Sequence, residues 1–202
     1  VRLIKLYAEQ LDGLWFGVAC SEKKIFATSF ATEERGVLHK LLVKIPFNVP
    51  FQHSKETSSL VYQVINALNN VYHGKENTST FPLAMEHLHS HVRKTLKATM
   101  RIPIGYITTY SSVARAVEVS PRAVGRAMAL NPFILIVPCH RVVYSDFSLG
   151  GYGEGLNVKM EILNRECRGY KSEIEIQFNK KKIHVFPVEF LLNRYARKNC
   201  NS

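Results

Sequence analysis

Two dipeptides ending in proline define a helix in the middle of this chain. Ser120-Pro121 is typical of a helix start, because Ser is a good N-cap and Pro at the first helical position gives up only an N–H that has no helical partner. Asn131-Pro132 is typical of a helix end, since Asn tolerates the left-handed conformation and Pro cannot continue a helix. We therefore predict a helix over residues 121–130.

A second short helix is predicted just before this one. Residues 109–117 (TYSSVARAV) begin with a hydroxyl residue that can cap a helix, and their apolar positions fall on one side. Two short helices joined by a tight turn form a helix-turn-helix, which many DNA-binding proteins contain. That pattern is common, so it favours DNA binding only together with other features.

The composition of the helix predicted over residues 121–130 is one such feature. Arg122 and Arg126 are spaced four residues apart and project from one face, where they could contact phosphates. Small residues permit a close approach to a DNA groove, including the minor groove, although they also permit tight packing against another helix. The small residues of this helix are Ala123, Gly125, Ala127 and Ala129.

A thiol lies beside an imidazole directly after an apolar run. Residues 131–141 read NPFILIVPCHR, so Cys139, His140 and Arg141 follow Pro138. A free cysteine has a pKa of about 8.5 and becomes a good nucleophile when a base or a positive charge draws its proton away. The alternative is a small buried cysteine at the end of a strand.

The composition indicates an intracellular protein with a polyanionic partner. The 202 residues include 27 Lys and Arg against 16 Asp and Glu, a formal net charge of +11. No apolar stretch approaches the roughly 20 residues that span a bilayer, and no secretory cleavage site is evident near the start. Scattered cysteines without a CxxC pair suit a reducing compartment. They are Cys20, Cys139, Cys167 and Cys200.

The first 80 residues are predicted to form a small α/β domain. Residues 14–20 and 25–30 indicate two strands of a hairpin, and the spacing of Leu60, Val64, Leu68 and Val71 indicates a helix that ends at His73-Gly74. The polar stretch 74–80 is the predicted linker. Beyond it, Met85, Leu88, Val92 and Leu96 predict one face of a further helix.

Three histidines in this further helix are weak candidates for a metal site. His87 and His91 have the four-residue spacing that places two imidazoles on one helix face, with His89 between them. A third ligand is not evident, so we expect surface or interface histidines and no metal. Cys20 with His39 or His53 is a still weaker zinc hypothesis.

Several motifs, taken in order and spacing, resemble the O6-alkylguanine-DNA alkyltransferases, also called methylated-DNA–protein-cysteine methyltransferases. The resemblance covers roughly residues 85–167. It implies an N-terminal ribonuclease-H-like α/β domain (residues 1–80) and a helical, winged-helix-like domain for DNA binding and alkyl transfer (81–167). The motifs are IPIGYITTY (102–110), PRAVGRAM (121–128), NPFILIVPCHRVV (131–143), GGYGEGL (150–156) and Glu166.

The resemblance implies a mechanism for this family. Cys139 would accept the alkyl group from O6 of guanine, while His140, through a water held by Glu166, would move the thiol proton to the departing base. The resemblance also implies that Tyr110 contacts the extruded base and that Arg122 fills the gap in the stack. Asn131 would brace the helix-turn-helix against the reactive turn.

Further contacts follow from the same resemblance. Residues 150–156 would close over the flipped base, with Tyr152 as a wall, a backbone N–H near Gly153 bonding O6, and Val142 contacting the base. The helix residues Ala123, Gly125 and Arg126 would contact DNA together with Arg122 and Tyr110. The expected partner is double-stranded DNA, bound from the minor groove by a monomer without metal or organic cofactor; cooperative binding stays open. The expected location is the prokaryotic cytoplasm or the eukaryotic nucleus.

Two segments depart from the family pattern. Tyr144, Asp146 and Phe147 make the stretch after PCHRVV a variant that would tune the size of the accepted lesion. Residues 168–202 form an extension of unknown role, in which alternating apolar residues predict a hairpin across a lysine-rich turn, followed by a helix near 188–197. Lys180 to Lys182 are expected in that solvated turn.

Three other functions remain as alternatives. A lesion-binding protein of the alkyltransferase-like kind lacks the reactive cysteine that this chain has. A winged-helix regulator would leave the PCHRV motif and Glu166 unexplained. A Cys–His hydrolase needs an oxyanion site that the sequence does not indicate.

Overall fold

A four-stranded sheet begins the chain in the computed structural model, which describes residues 3–199. Its strands are β1 (Ile4–Leu11), β2 (Leu14–Cys20), β3 (Ile25–Ala31) and β4 (Phe51–His53), in the order β3-β2-β1-β4. Strand β2 pairs antiparallel with both β1 and β3, whereas β4 runs parallel to β1. The predicted hairpin of residues 14–20 and 25–30 is confirmed as β2 and β3.

The strand β1 was not predicted, although the sequence carries a turn that indicates it. Asp12 and Gly13 join β1 to β2 with φ angles of 49° and 84°. An Asp-Gly pair between apolar stretches is a strong hairpin indication, since both residues tolerate positive φ. The register Leu11↔Leu14 follows from this two-residue turn.

Two helices cover opposite faces of this sheet. Neighbouring residues of a strand point to opposite faces, and Gly17 lies under Val37 of α1 (Glu34–Leu42), whereas Phe16 contacts Tyr72 of α2 (Ser59–Tyr72). The predicted helix over residues 60–71 is confirmed as α2. Both helices bury aliphatic side chains, which gives this sheet a core on each face.

Two later segments complete this first unit, which comprises residues 3–72, 76–88 and 132–136. Ile25 exchanges backbone hydrogen bonds with Pro82 and Ala84, and the N–H of Thr28 donates to the carbonyl of Pro132 at 2.8 Å. The residues just before the reactive turn therefore lie along β3.

The pairing with Ile25 corrects one helix prediction. The helix predicted from Met85, Leu88, Val92 and Leu96 is wrong in its first half. The helix α3 spans Ser90–Thr99, and residues 83–88 form a bridge and turns. Backbone groups of Leu83 and Ala84 pair with β3 and cannot also enter a helix. Val92 and Leu96 are buried on α3 as predicted.

The second unit comprises residues 73–75, 89–131 and 137–199, and it contains the helix-turn-helix. Helix α4 (Tyr110–Val117) is capped by Thr109, and α5 (Pro121–Ala129) is capped by Ser120, whose side chain accepts a hydrogen bond from the N–H of Ala123 at 3.2 Å. Both predicted helices are confirmed. Glu118 ends α4 in the left-handed conformation and turns the chain into α5.

A second four-stranded sheet lies beside these helices in the same unit. Its strands are β5 (Tyr106–Thr109), β6 (Val142–Val143), β7 (Ile174–Phe178) and β8 (Lys181–Pro187), in the order β6-β5-β8-β7. Strand β5 pairs in parallel with β6 and antiparallel with β8. The remaining helix before the extension is α6 (Leu156–Arg165).

The extension folds as the sequence predicts. Its hairpin is β7 and β8, and its helix is α7 (Val188–Asn199); Cys200 lies outside the described residues. Lys180 occupies the turn, whereas Lys181 and Lys182 already belong to the exposed start of β8. Pairing of β8 with β5 makes the extension part of the sheet of the second unit, which the sequence did not reveal.

No helix within residues 3–199 has both the length and the apolar character needed to cross a bilayer. The chain is a mixed α/β protein, as expected, and its second small sheet goes beyond the helical domain that the sequence predicted.

We predict that alanine at Gly74 destabilises the protein. Gly74 has a φ of 67°, and an added Cβ would lie 2.2 Å from the carbonyl oxygen of Arg165, a backbone atom that cannot easily move. The left-handed conformation and the overlap should together lower the free energy of unfolding by about 2 kcal/mol or more, measured by urea denaturation.

The matched control for this prediction is Gly125→Ala in α5. An added Cβ at Gly125 meets no atom within 4 Å, so this variant should match or exceed the wild-type stability by up to about 1 kcal/mol. Equal urea midpoints for Gly74→Ala and the wild type would contradict the close contact with Arg165.

Candidate active site

The thiol of Cys139 lies in a buried turn that directly precedes strand β6. Cys139 begins a short 3₁₀ turn, Cys139–Arg141, and is 5% exposed. The turn leads directly into β6, which pairs with the end of β5, and β5 leads into the cap of α4. The thiol is therefore held next to the start of the helix-turn-helix by backbone pairing.

Asn131 contacts the thiol directly. This residue follows α5 and is fully buried. Its side-chain Nδ2 donates to the carbonyl of Val137 at 3.2 Å and lies 3.3 Å from Sγ of Cys139. An N–H donor aimed at sulfur stabilises the negative charge that develops there when the proton leaves.

His140, Arg141 and Glu166 form a buried charged network beside the thiol. Glu166 ends α6, and its Oε1 lies 3.1 Å from Nε2 of His140 and 2.6 Å from Nη2 of Arg141. The Nε of Arg141 donates to Oε2 of Glu166 at 2.9 Å, so the guanidinium holds both carboxylate oxygens. Arg141 also donates Nη1 to the carbonyl of Ile102 at 2.7 Å.

This network sets the protonation state of both Glu166 and His140. Burial by itself would raise the pKa of Glu166, but the charges of Arg141 and His140 and their hydrogen bonds lower it to about 2. Burial lowers the pKa of His140, against the opposing effect of Glu166. Near neutral pH the carboxylate is ionised and the imidazole is neutral, so His140 is able to accept a proton.

One nitrogen of His140 is left for that proton. Its Nε2 faces Glu166, whereas Nδ1 is buried and has no hydrogen-bond partner among the described atoms. A neutral imidazole hydrogen-bonded through one nitrogen is held in one orientation, as catalytic histidines often are.

Lys159 is a functional candidate that the sequence reasoning missed. It lies on α6, is fully buried, and donates Nζ to the carbonyl of Val142 at 2.7 Å and to the carbonyl of Leu149. Burial lowers the pKa of Lys159 to about 8, while the nearby Cys139 acts in the opposite direction. Nothing in the sequence marks this lysine among 27 basic residues, because its burial arises only from packing.

Tyrosine residues lie near the Cys139–Arg141 turn, which we call the reactive turn. Tyr110, at the start of α4, is buried, and its ring lies 5.3 Å from that of Tyr144. Burial is the main reason that the pKa of Tyr110 is raised to about 12, so its hydroxyl stays protonated and can donate. Tyr152 presents its ring edge-on to His140 at 6.4 Å.

The loop predicted to close over the base, residues 150–156, has free space around its glycine at position 153. Gly153 is exposed, and an added Cβ there would meet no atom within 4 Å. Gly155, with a φ of 95°, precedes α6. Val142, in β6, is fully buried, so of the predicted base contacts it is the least accessible in this structure.

The predicted DNA-binding face of α5 is exposed. Arg122 and Arg126 lie in solvent, while Val124, Ala127 and Met128 are buried on the opposite side. A Cβ added at Gly125 would meet no side chain or other segment within 4 Å, so close helix packing does not explain its small size, whereas it does explain the buried Ala127. Ala123 is half-buried at the start of the helix.

The histidine cluster does not have the predicted geometry. His87 lies in a turn before α3, His89 is the N-cap, and His91 is in the first turn, so His87 and His91 do not share a helix face. The rings of His89 and His91 stack 6.0 Å apart, and the ring of His87 stacks on Phe26. Across residues 3–199 no group of three potential metal ligands is found.

A family model covers the part of the chain that contains this site. Residues 90–168 match the family described as "6-O-methylguanine DNA methyltransferase, DNA binding domain". The matched range includes every residue of the candidate active site and ends at the first residue of the extension.

Curated relatives are similar over the same part of the chain. A methylated-DNA–protein-cysteine methyltransferase of Pyrobaculum aerophilum is 52% identical over 75 residues, which are 37% of this chain and 51% of that protein. One of Sulfurisphaera tokodaii is 40% identical over 99 residues, 49% of this chain and 63% of that protein. The chain thus matches between half and two thirds of the length of these two relatives.

Solved structures of alkylguanine methyltransferases are similar over more of the chain. The O6-methylguanine-DNA methyltransferase of Pyrococcus kodakaraensis has a TM-score of 0.63 at 25% identity, covering 81% of this chain and 98% of that one. A Mycobacterium tuberculosis protein in complex with DNA has a TM-score of 0.62 at 21% identity, covering 80% and 92%. The second comparison supports the fold alone.

We predict that Glu166→Gln strongly destabilises the protein. The substitution leaves the buried guanidinium of Arg141 without a counter-charge, and removing one partner of a buried ion pair costs about 3–5 kcal/mol. Because the pKa of Glu166 is lowered on folding, its contribution is present above its unfolded pKa and is lost as pH falls toward about 2. Urea denaturation as a function of pH measures both effects.

The control is Glu161→Gln on the same helix. Glu161 pairs with Arg165 at 2.5 Å on an exposed surface, where such a pair contributes less than about 1 kcal/mol. Similar losses for the two variants at neutral pH would contradict the central role of the buried pair.

Proposed function

We propose that this chain repairs DNA by transferring the alkyl group of O6-alkylguanine, chiefly O6-methylguanine, to Cys139. The observation that carries this proposal is the contact of a buried Cys139 thiol with Asn131 beside a neutral His140 and an ionised Glu166. The names of the relatives and the family match of residues 90–168 support the same activity.

The proposed step balances without a cofactor. His140 accepts the thiol proton at Nδ1 through a water molecule and leaves a thiolate on Cys139, while Glu166 holds Nε2 of the same ring. The sulfur electron pair forms a bond to the alkyl carbon as the bond from that carbon to O6 breaks, and the breaking pair stays with guanine. The proton passes to guanine, with Tyr110 as a hydrogen-bond donor to the base.

The thioether product is chemically inert, so each molecule acts once. Cys20 and Cys167 are the other cysteines within residues 3–199; one is a buried residue of β2 and the other is exposed after α6. Because the sulfur is the final acceptor, the protein would act stoichiometrically. Its activity would be that of a methylated-DNA–[protein]-cysteine S-methyltransferase.

The lesion must leave the base stack to reach a buried thiol. Unstacking costs a few kcal/mol, and less for a damaged, poorly paired base, which contributes selectivity. We propose that α5 enters the minor groove with Ala123 and Gly125 toward the DNA, that Arg122 fills the gap in the stack, and that Arg126 contacts phosphate. Val142, Tyr152 and Gly153 would contact the flipped base.

The proposed function includes a division of the chain into two domains and an extension. Residues 1–80 would form a ribonuclease-H-like domain that supports a winged-helix-like domain at 81–167, followed by the extension at 168–202. All proposed catalytic residues lie on one chain, which supports action as a monomer. The protein would work where the DNA is, in the prokaryotic cytoplasm or the eukaryotic nucleus.

We predict stoichiometric labelling of Cys139. Duplex DNA that carries O6-[³H]methylguanine should transfer about one label to each protein molecule. Transfer should then stop, because the thioether is not released. Peptide mass spectrometry should locate the methyl group on Cys139. Cys139→Ala should bind the lesion duplex but accept no label.

The control for this labelling is Cys167→Ser, which changes an exposed cysteine outside the site. It should accept the label at the wild-type rate. Label retained by Cys139→Ala would overturn the acceptor assignment, and lesion binding by the wild type without transfer would support an alkyltransferase-like binder instead.

We predict that Arg122→Ala slows transfer from duplex DNA more than transfer from free O6-benzylguanine. Arg122 is exposed on α5 and is proposed to act only on the DNA stack, so the free base does not need it. The expected ratio of the two effects is at least about tenfold, which corresponds to about 1.4 kcal/mol and so to a part of the few kcal/mol that unstacking costs. Single-turnover labelling measures both rates.

Arg35→Ala provides the matched control, because Arg35 is an exposed arginine on α1 of the other unit. Its duplex rate should stay near the wild-type value. Equal slowing of both substrates by Arg122→Ala would show that the residue supports the fold rather than base extrusion.

A further inference from the structure

The segment after the reactive turn forms a tight loop, residues 144–150, which we call the 144–150 loop. Tyr144 and Phe147 are joined by a backbone hydrogen bond of 2.9 Å, and the carbonyl of Ser148 accepts from the N–H of Tyr144 at 2.9 Å. Asp146 accepts hydrogen bonds from both the N–H and the hydroxyl of Ser148. The loop thus has a definite shape of its own.

One side of this loop faces the proposed site. The ring of Tyr144 packs on Tyr110, and Gly150 lies so close to Tyr110 that an added Cβ would be 2.8 Å from its ring. The carbonyl of Leu149 accepts from Nζ of the buried Lys159, which also bonds the carbonyl of Val142, three residues after Cys139. Movement of this loop would therefore move groups around the thiol.

The other side of the loop is held by the extension. The hydroxyl of Tyr195 on α7 accepts a hydrogen bond from the N–H of Leu149 at 3.2 Å. Arg194 pairs with Asp146 at 2.8 Å. Three separate kinds of contact hold the loop, since the ring of Phe147 also packs against Phe186 and Phe190 at centroid distances of 5.1 and 6.0 Å.

The backbone of Phe147 gives these contacts a further role. Its φ is 58°, a left-handed conformation that costs energy for a bulky residue. The side chain packs against an apolar cluster that includes Leu163 of α6 together with Leu191 and Leu192 of the extension, and this packing offsets that cost.

We propose that the extension sets which O6 substituents the site accepts, because α7 and the end of β8 hold the 144–150 loop against Tyr110. The proposal rests on the alkyl-transfer function and assigns a role to residues beyond the family match, which ends at residue 168. Tyr195 and Arg194 are positioning residues: they act through the loop and do not touch the reacting atoms. A loop that is released from α7 yields to a larger substituent.

The test compares transfer from duplex DNA that carries O6-methylguanine or O6-benzylguanine. Tyr195→Phe keeps the ring and removes the acceptor for Leu149, and loss of one such hydrogen bond corresponds to about a fivefold change in a local equilibrium. We expect the benzyl-to-methyl rate ratio to rise about fivefold. Arg194→Gln should change the ratio in the same direction, and amide hydrogen exchange of residues 144–150 should become faster in both variants.

Asn193→Ala is the matched control, since Asn193 is exposed on the same helix and directly precedes the two contact-forming residues. It should leave the ratio and the exchange unchanged. If Tyr195→Phe and Arg194→Gln leave the ratio at the wild-type value, or slow both substrates equally, the extension has only a stabilising role and the inference is wrong. Absence of any transfer by the wild type would instead overturn the proposed function itself.

Discussion

The buried carboxylate of Glu166 is the constraint on which the rest of the site depends. An ionised carboxylate inside a protein is costly unless it is fully paired, and Arg141 meets both of its oxygens while His140 takes a third contact. Because Glu166 ends α6 and the two partners lie in the reactive turn, satisfying this charge fixes the turn relative to the helix. The neutral imidazole beside Cys139 is a consequence of the same burial.

The second sheet connects this network to the proposed DNA-binding helices. Strand β5 lies between β6, which follows the reactive turn, and β8 of the extension. Its last residue, Thr109, caps α4, and Asn131 after α5 reaches back to the sulfur. The proposed binding at the exposed arginines of α5 and the proposed chemistry at Cys139 are therefore linked by short paired and capped segments. Such a link suits the proposed delivery of a base to a buried thiol.

The extension gains a physical role from this arrangement. Residues after 168 complete the sheet through β8 and then return along α7 to hold the 144–150 loop by an ion pair, a hydrogen bond and stacked rings. Two residues of this loop, Asp146 and Phe147, contact the extension directly.

Much of this protein is determined by its sequence alone. The caps at Ser120 and Thr109, the helix α2, the hairpin of β2 and β3 and the elements of the extension follow from local patterns, since capping and periodicity act over a few residues. The reactive turn and the residues proposed around it follow from short motifs. The start of α3, the burial of Lys159 and the contacts of α7 were decided only by the tertiary structure. Pairing of residues 83 and 84 with Ile25 excludes the longer helix, and the environment of a lysine or a tyrosine depends on segments far along the chain, whose approach no local pattern encodes.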